Sequence, residues 1–218
     1  MFLQDPATPS ERIPHPIRVQ IVQLLRGAYH TVDSIMRDHP IVHEFGHGGL
    51  ARGILKYIVA NNIFCKAVAN GVLPGRAVMK PAGNGGAEYM EYVYDRIGIT
   101  LSRTQNPWDI PRPSAFRVNS AYSNQSVFEF DQLPGVTEET LVDASLVLVH
   151  GDKDLNFVRL ILCSVENEKL VALHKSQNLV MLSDQAAHVS DYVPEDDVDE
   201  IVVTLRDEFR NQSNLQAG

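Results

Sequence analysis

Cysteine is scarce. The 218 residues hold two, Cys65 and Cys163, so at most one disulfide could brace the fold. Each lies in an apolar run, Ile63-Phe64-Cys65 and Leu160-Ile161-Leu162-Cys163, and reads as a buried thiol acting as a small hydrophobe. Cysteine used so sparingly suits a reducing compartment, and a cytoplasmic location is expected. Positive charge is also in deficit: 19 Lys and Arg against 27 Asp and Glu, a formal charge of −8. A duplex-binding domain presents a basic face that displaces counterions from phosphates, so nucleic acid is disfavoured as the main ligand. Only Arg96, Arg103, Arg112 and Arg117 keep an RNA-directed reading open. No apolar stretch runs to membrane-spanning length before a charge or glycine breaks it, and no membrane span is expected. No basic segment followed by an apolar run opens the sequence, so no secretion signal is expected either. Internal repeats are absent, and tryptophan occurs once, at 108.

What is present is enough apolar surface for a core, 44% of the residues. Ile17, Ile21, Leu24 and Leu25 recur at helical spacing, and Ala28, Val32 and Ile35 continue the stripe to a stop at Asp38-His39-Pro40. Gly27 would bend or divide that helix. A second helical run carries Leu50, Ile54, Leu55, Ile58, Val59, Ile63, Phe64, Ala67 and Val68, and Asn70-Gly71 should end it. Residues 71–87 read as loop. From 88 the period becomes two, with Val93, Asp95, Ile97, Ile99 and Leu101 alternating against Tyr92, Tyr94, Arg96, Thr100 and Ser102 as in one strand. Residues 103–115, with Pro107, Pro111, Pro113 and Trp108, form an irregular excursion of the kind that often carries function. Val127–Phe130 reads as a short strand. Ser145–His150, Leu155–Ser164 and Lys169–His174 follow with hairpin-length connections, an antiparallel meander. After an acidic stretch, residues 201–205 fit strand or helix.

Helices first and strands later argue for an α+β fold, N-terminal helices packed on a mostly antiparallel sheet. The expected organisation is a flexible segment 1–15, one α+β domain over 16–210 (helical part 16–70, sheet part 88–182) and a disordered tail 211–218.

One segment has side chains whose spacing specifies chemistry: His43-Glu44-Phe45-Gly46-His47. On a helix His43 and His47 share a face, where two imidazoles can grip zinc while Glu44 polarises a bound water. At this composition the pattern arises by chance about one time in sixty. It resembles the zincin metallopeptidases, which implies zinc as cofactor, His43 and His47 as ligands, Glu44 as general base and a third ligand downstream, for which Glu88 and Glu91 are the candidates. The segment departs from that family in lacking an upstream strand. Pro40 and Gly48-Gly49 flank it, and each glycine inside a helix costs ~1 kcal/mol. The competing reading makes the histidines ordinary residues of a helix start, with Glu44 favoured by the positive helix end.

The other clusters have plain readings beside their chemical ones. Lys80–Gly86 would offer amides to an anion or serve as a connector. Asp152 and Asp154 would hold a cation or simply cap a turn. His150 and His174, near the ends of neighbouring candidate strands, would face each other across the sheet or simply form polar edges. Trp108, on a loop stiffened by prolines, either anchors a partner or plugs the edge of the core. With it, Arg103, Arg112 and Arg117 make up a candidate partner-binding set.

The succession Arg96-Ile97-Gly98-Ile99-Thr100-Leu101-Ser102-Arg103, then Phe116-Arg117-Val118-Asn119, then Phe130-Asp131-Gln132-Leu133-Pro134-Gly135-Val136, then the meander over 145–174, resembles a set of uncharacterised bacterial and phage proteins. That resemblance spans roughly residues 90–180. Members occur in small mobile operons, some resembling toxin–antitoxin modules. The resemblance implies a protein that works by macromolecular interaction, as the toxin-like member of a toxin–antitoxin or phage-defence operon, with an antitoxin or host protein as partner. The zinc metallopeptidase and the RNA-directed effector stand as alternatives.

Overall fold

The computed structural model describes residues 8–39, 48–82, 88–126, 142–151, 154–167 and 169–185. The elements, in chain order, are α1 (His15–Asp38), α2 (Gly48–Ala69), β1 (Arg76–Pro81), β2 (Glu88–Tyr94), β3 (Ile97–Thr104), α3 (Ala115–Ser126), β4 (Ala144–Gly151), β5 (Phe157–Glu166), β6 (Lys169–Lys175) and α4 (Leu179–Gln185). Helices lead and a six-stranded, mostly antiparallel sheet follows, so the α+β class expected from the sequence is the one observed. Among the described residues no helix is long and apolar enough to cross a membrane.

Strand order in space equals strand order in sequence, β1 through β6. Every neighbouring pair is antiparallel except β3–β4, which run parallel from Ile97↔Ala144 to Thr104↔Gly151. Two three-stranded meanders are thereby joined side by side, and a parallel junction needs a crossover of a dozen residues or more, here carrying α3.

Alternation along the strands divides the core in two. Met90, Tyr92, Ile97, Ile99, Leu101, Leu146, Leu148, Val158, Leu160 and Leu162 face one way and pack with Ile21, Leu25, Val32, Val59, Ile63 and Phe64 of α1 and α2. Val147, Val149, Ile161, Cys163 and Val165 face the other way and meet Val118 and Ala121 of α3. The central strands β4 and β5 are buried on both faces. That is why they read as continuous apolar runs rather than alternating ones.

The helix ends follow their local chemistry. Pro14 and Pro16 open α1, where a missing N–H costs nothing, and α1 stops just before the His39-Pro40 pair. Gly27 does not divide it, since the helix runs unbroken from His15 to Asp38. At the end of α2, Gly71 adopts φ +70°. Its N–H bonds Val68 O while the Val72 N–H reaches back to Ala67 O, the paired closure that a left-handed residue allows.

Several local expectations are corrected. Residues 71–87 are not all loop, since Arg76–Pro81 pair with β2. The long alternating run from 88 is two strands. Asp95 (φ 43°) and Arg96 (φ 59°) are both left-handed and form the two-residue turn between Tyr94 and Ile97, although neither is glycine. Neighbouring charges hold that turn: Arg12 bridges Asp95 and Asp143, and Arg96 meets Asp143 at 2.7 Å. The same contacts pin the segment before α1, which is packed rather than loose from Thr8 onward, with Ile13 fully buried. The excursion after β3 ends in α3, and α4 follows β6; neither helix was expected. The candidate strand 127–130 and everything from 186 onward lie outside the described residues.

Asn124 locks α3 to the sheet. Its amide N donates to Ser145 O (2.9 Å) and Cys163 O (2.8 Å), and its Oδ1 accepts from the Ser145 N–H (2.7 Å). The β4–β5 ladder begins at Leu146↔Leu162, so this buried side chain supplies the rung at the next position. Asn124→Ala should lower the unfolding free energy by about 3 kcal/mol, three hydrogen bonds at roughly 1 each. Urea denaturation reads it, and a loss below about 0.5 kcal/mol, the size of an ordinary surface change, would refute the rung.

Candidate functional site at the carboxyl end of the parallel strands

The carboxyl ends of β3 and β4 bring Arg103 beside His150, their Cα atoms being register partners. His150 projects toward α1. It is fully buried, and its Nδ1 lies 3.0 Å from the Tyr29 hydroxyl, with the two rings edge-on at 72°. Its Nε2 is buried without a hydrogen-bond partner among the described residues. Burial, with Arg103 and Lys56 nearby as further causes, pushes the imidazole pKa down to about 3, so the ring is neutral at neutral pH.

Lys56 reaches the same place from α2. Only 1% of it is exposed, and its Nζ sits 3.7 Å from the centroid of the Tyr29 ring, a cation–π contact in a dry setting. Desolvation brings its pKa down to about 8. Asp33 works against the shift, and Arg103 and Arg52 add to it. One turn along each helix, Arg52 pairs with Asp33 at 3.5 Å. The α1–α2 seam thus carries two polar rungs, Tyr29–Lys56 and Asp33–Arg52, in an otherwise apolar interface. The sequence does hold a signal for this: Lys56 stands inside the run Ile54, Leu55, Ile58, Val59, where a helix meant only for packing would be apolar. Tyr29 carries no such mark, because a tyrosine in an apolar stripe is unremarkable.

The Trp108 loop stands at the same end of the sheet. Thr104 Oγ1 donates to Asn106 O, and the Asn106 N–H and side-chain amide both donate to Asp109 Oδ2. Within this tied turn the Trp108 carbonyl accepts from Lys175 Nζ (2.6 Å), and its ring lies 4.5 Å over the Arg159 guanidinium. The indole is nevertheless 65% exposed, so Trp108 does not plug the core. Ile110, two residues on, is another exposed apolar side chain.

The remaining candidates separate. Arg112 and Arg103 are exposed. Arg117 turns inward, donating to Arg112 O and Ser114 Oγ and lying on Phe116, which itself stacks on Tyr89 at 4.0 Å. It braces the start of α3. Arg96 lies in the turn before β3 and Arg103 near the far end of that strand, roughly 20 Å apart at ~3.3 Å per residue, so the four arginines do not form one patch. His150 and His174 do not face each other either, because β5 lies between their strands, where they pair with Val158 and Leu162.

Among the metal candidates, Glu88 is exposed at the start of β2. Glu91 is buried and ion-paired with Lys80, and it points to the opposite face of the strand from Glu88. His43, Glu44 and His47 lie outside the described residues, as do Asp152 and residues 83–86. No three His, Cys, Asp or Glu side chains among the described residues are grouped so as to hold a metal ion. Burial raises the Cys163 thiol to about 11 and shifts Cys65 upward too, which leaves both poor nucleophiles.

Comparison of the chain with protein-family models, with curated proteins and with solved structures finds no match. The geometry therefore has to carry the functional argument.

The buried imidazole has a consequence for stability. Its folded pKa of about 3 lies below the unfolded value of about 6.5, so between those values the unfolded chain holds one more proton. The contribution is fully present above pH 6.5 and is lost as pH falls toward 3, at up to ~1.4 kcal/mol per pH unit. Denaturation series from pH 7 to 5 on the wild type and His150→Gln should show the wild type losing more stability. Parallel curves would mean that His150 is not held neutral.

Proposed function

We propose that this chain is an interaction protein and that Trp108 is the anchor of its partner-binding surface. The observation that supports this reading is an exposed indole on a loop that is already fixed. Arg159 and Lys175 hold it from the sheet side, the Asn106–Asp109 turn fixes the backbone, and Pro107 precedes it. A large, rigid aromatic side chain brings contact area without an ordering cost on binding, and such residues dominate interface energies. Ile110 is a second exposed apolar side chain on the loop, and Arg159 and Lys175 lie against Trp108, which favours a partner with an apolar pocket and an acidic rim.

The resemblance of residues 90–180 to proteins of toxin–antitoxin-like operons supports the same reading. On it, this chain is the toxin-like member, the partner is an antitoxin encoded beside it or a host target, and both meet in the cytoplasm.

The test is co-expression with the neighbouring gene's product, followed by affinity measurement. Trp108→Ala should weaken the complex by about 30-fold or more, the consequence of losing at least ~2 kcal/mol at a hot spot. The melting temperature of the free protein should barely move, because the indole buries little of itself in the fold. Retention of full affinity in Trp108→Ala, or a wild-type chain that captures no partner from its host, would overturn the proposal.

A further inference from the structure

We propose that residues 195–203 of this chain occupy the Trp108 surface from within the same molecule, so that a partner must displace them. The inference rests on the reading of Trp108 as the partner-binding anchor and adds its regulation. It starts from a mismatch of charge. Among the described residues Lys and Arg outnumber Asp and Glu, 16 to 11, although the whole chain carries −8. The excess of acid therefore lies outside the described residues. Its densest run comes soon after α4: Asp191, Glu195, Asp196, Asp197, Asp199 and Glu200, with no Lys or Arg between them. Ile201-Val202-Val203 follows directly.

The Trp108 surface lacks what this segment carries. Arg12, Arg26, Arg52, Lys80 and Arg96 each meet a carboxylate of a described residue. Arg159 and Lys175 meet none among the described residues. Their hydrogen bonds go to carbonyls, Arg159 Nη1 donating to Ser176 O (2.8 Å) and Lys175 Nζ to Trp108 O (2.6 Å). A carbonyl takes one N–H and leaves the positive charge unopposed, and both cations hold further donors. Asp109 is the one acid in the loop, and its Oδ2 already accepts from Asn106. Beside these cations stand the exposed indole and Ile110. Cations next to exposed apolar side chains suit a segment in which Val198 and Ile201-Val202-Val203 stand among carboxylates.

The tether is long enough. Gln185 ends α4, and Glu195 comes ten residues later. Ten residues reach about 33 Å when extended, at ~3.3 Å each, which is roughly the diameter of a small domain. A tether of this length holds the segment at an effective concentration on the order of 1 mM. A few exposed ion pairs, too weak to join separate molecules, then suffice within one. Such a contact yields to salt, and it lowers the apparent affinity for a partner in proportion to the fraction of molecules left open.

Trp108 is the single tryptophan, so its fluorescence reports on this surface alone. The measurement is quenching by acrylamide, a neutral probe, in the full-length chain. The variant joins Glu195→Gln, Asp196→Asn, Asp197→Asn, Asp199→Asn and Glu200→Gln. In low salt it should quench about two- to threefold more strongly than the wild type, since the indole is no longer covered. Sodium chloride at about 1 M, where charges interact over only ~3 Å, should bring the wild type to the variant's level. That arm needs no substitution. Asp207→Asn with Glu208→Gln, outside the segment, should leave quenching at the wild-type value. The five-fold variant should also bind the partner about threefold more tightly, because every molecule is open. Equal quenching of wild type and variant in low salt would overturn the proposal, as would an equal rise with Asp207→Asn and Glu208→Gln. Shielding that grows with protein concentration would put the segment of a second copy at Trp108 and overturn it too. Equal quenching beside a Trp108-dependent complex removes this inference and leaves the partner reading standing. Salt-sensitive shielding in a chain that captures no partner removes the partner reading and leaves the contact standing.

Discussion

The parallel pairing of β3 with β4 is the constraint on which the other features rest. Each three-stranded meander could form from local hairpins, but neither would bury both faces of a central strand alone. Eight register pairs join them, from Ile97↔Ala144 to Thr104↔Gly151. The junction forces the chain to cross from one end of the sheet to the other, and the crossover delivers α3 onto the face that α1 and α2 leave uncovered. Asn124 then replaces a missing rung between β4 and β5, so the crossover helix is tied into the ladder it covers. The fit at the far end is close. A Cβ at Gly151 would lie 2.1 Å from Thr104 O, so the last pair of the parallel ladder tolerates no side chain there.

The same pairing sets the chemistry. Arg103 and His150 are about fifty residues apart in sequence and adjacent in space only because the strands run in the same direction in this register. With the register shifted by one residue, His150 would leave the face that carries Tyr29. Placing a lysine and a histidine in the α1–α2–sheet seam costs desolvation, visible in both depressed pKa values. Apolar residues of similar volume would pack there at no such cost. Polar groups are kept at that expense at the end of the only parallel junction among the described strands. The Trp108 loop is fastened to β5 and β6 at the same end.

Much of the fold could be read along the chain. The stripe from Ile17 to Ile35, the Asn70-Gly71 stop and the three apolar runs after 144 each encode their element through local periodicity and end signals. What could not be read had non-local causes. The turn at Asp95-Arg96 uses two left-handed residues without glycine and is held by Arg12 and Asp143, from distant parts of the sequence. β1 looked like loop because Pro81 and the glycines after it mask a short edge strand. Helix α3 was hidden behind prolines and a polar sequence with few apolar residues. The site was legible only in part. Trp108 stood out by its rarity and its prolines, but whether it faced core or solvent depends on Arg159 and Lys175, fifty and more residues away. Lys56 drew no reading and His150 was set beside His174, because the meeting of His150 with Tyr29 and Lys56 exists only once the helices pack on the paired strands.

The central claim is that β3–β4 pairing holds both halves of the protein in one cooperative unit. Native-state hydrogen exchange across low concentrations of denaturant tests it most directly. The account predicts that backbone amides of Ile99 and Leu101 in β3 and of Val147 and Val149 in β4 exchange only through global unfolding, with one shared free energy and denaturant dependence. Exchange of one strand set at a clearly lower free energy, while the other stays protected, would show two independent halves and contradict it.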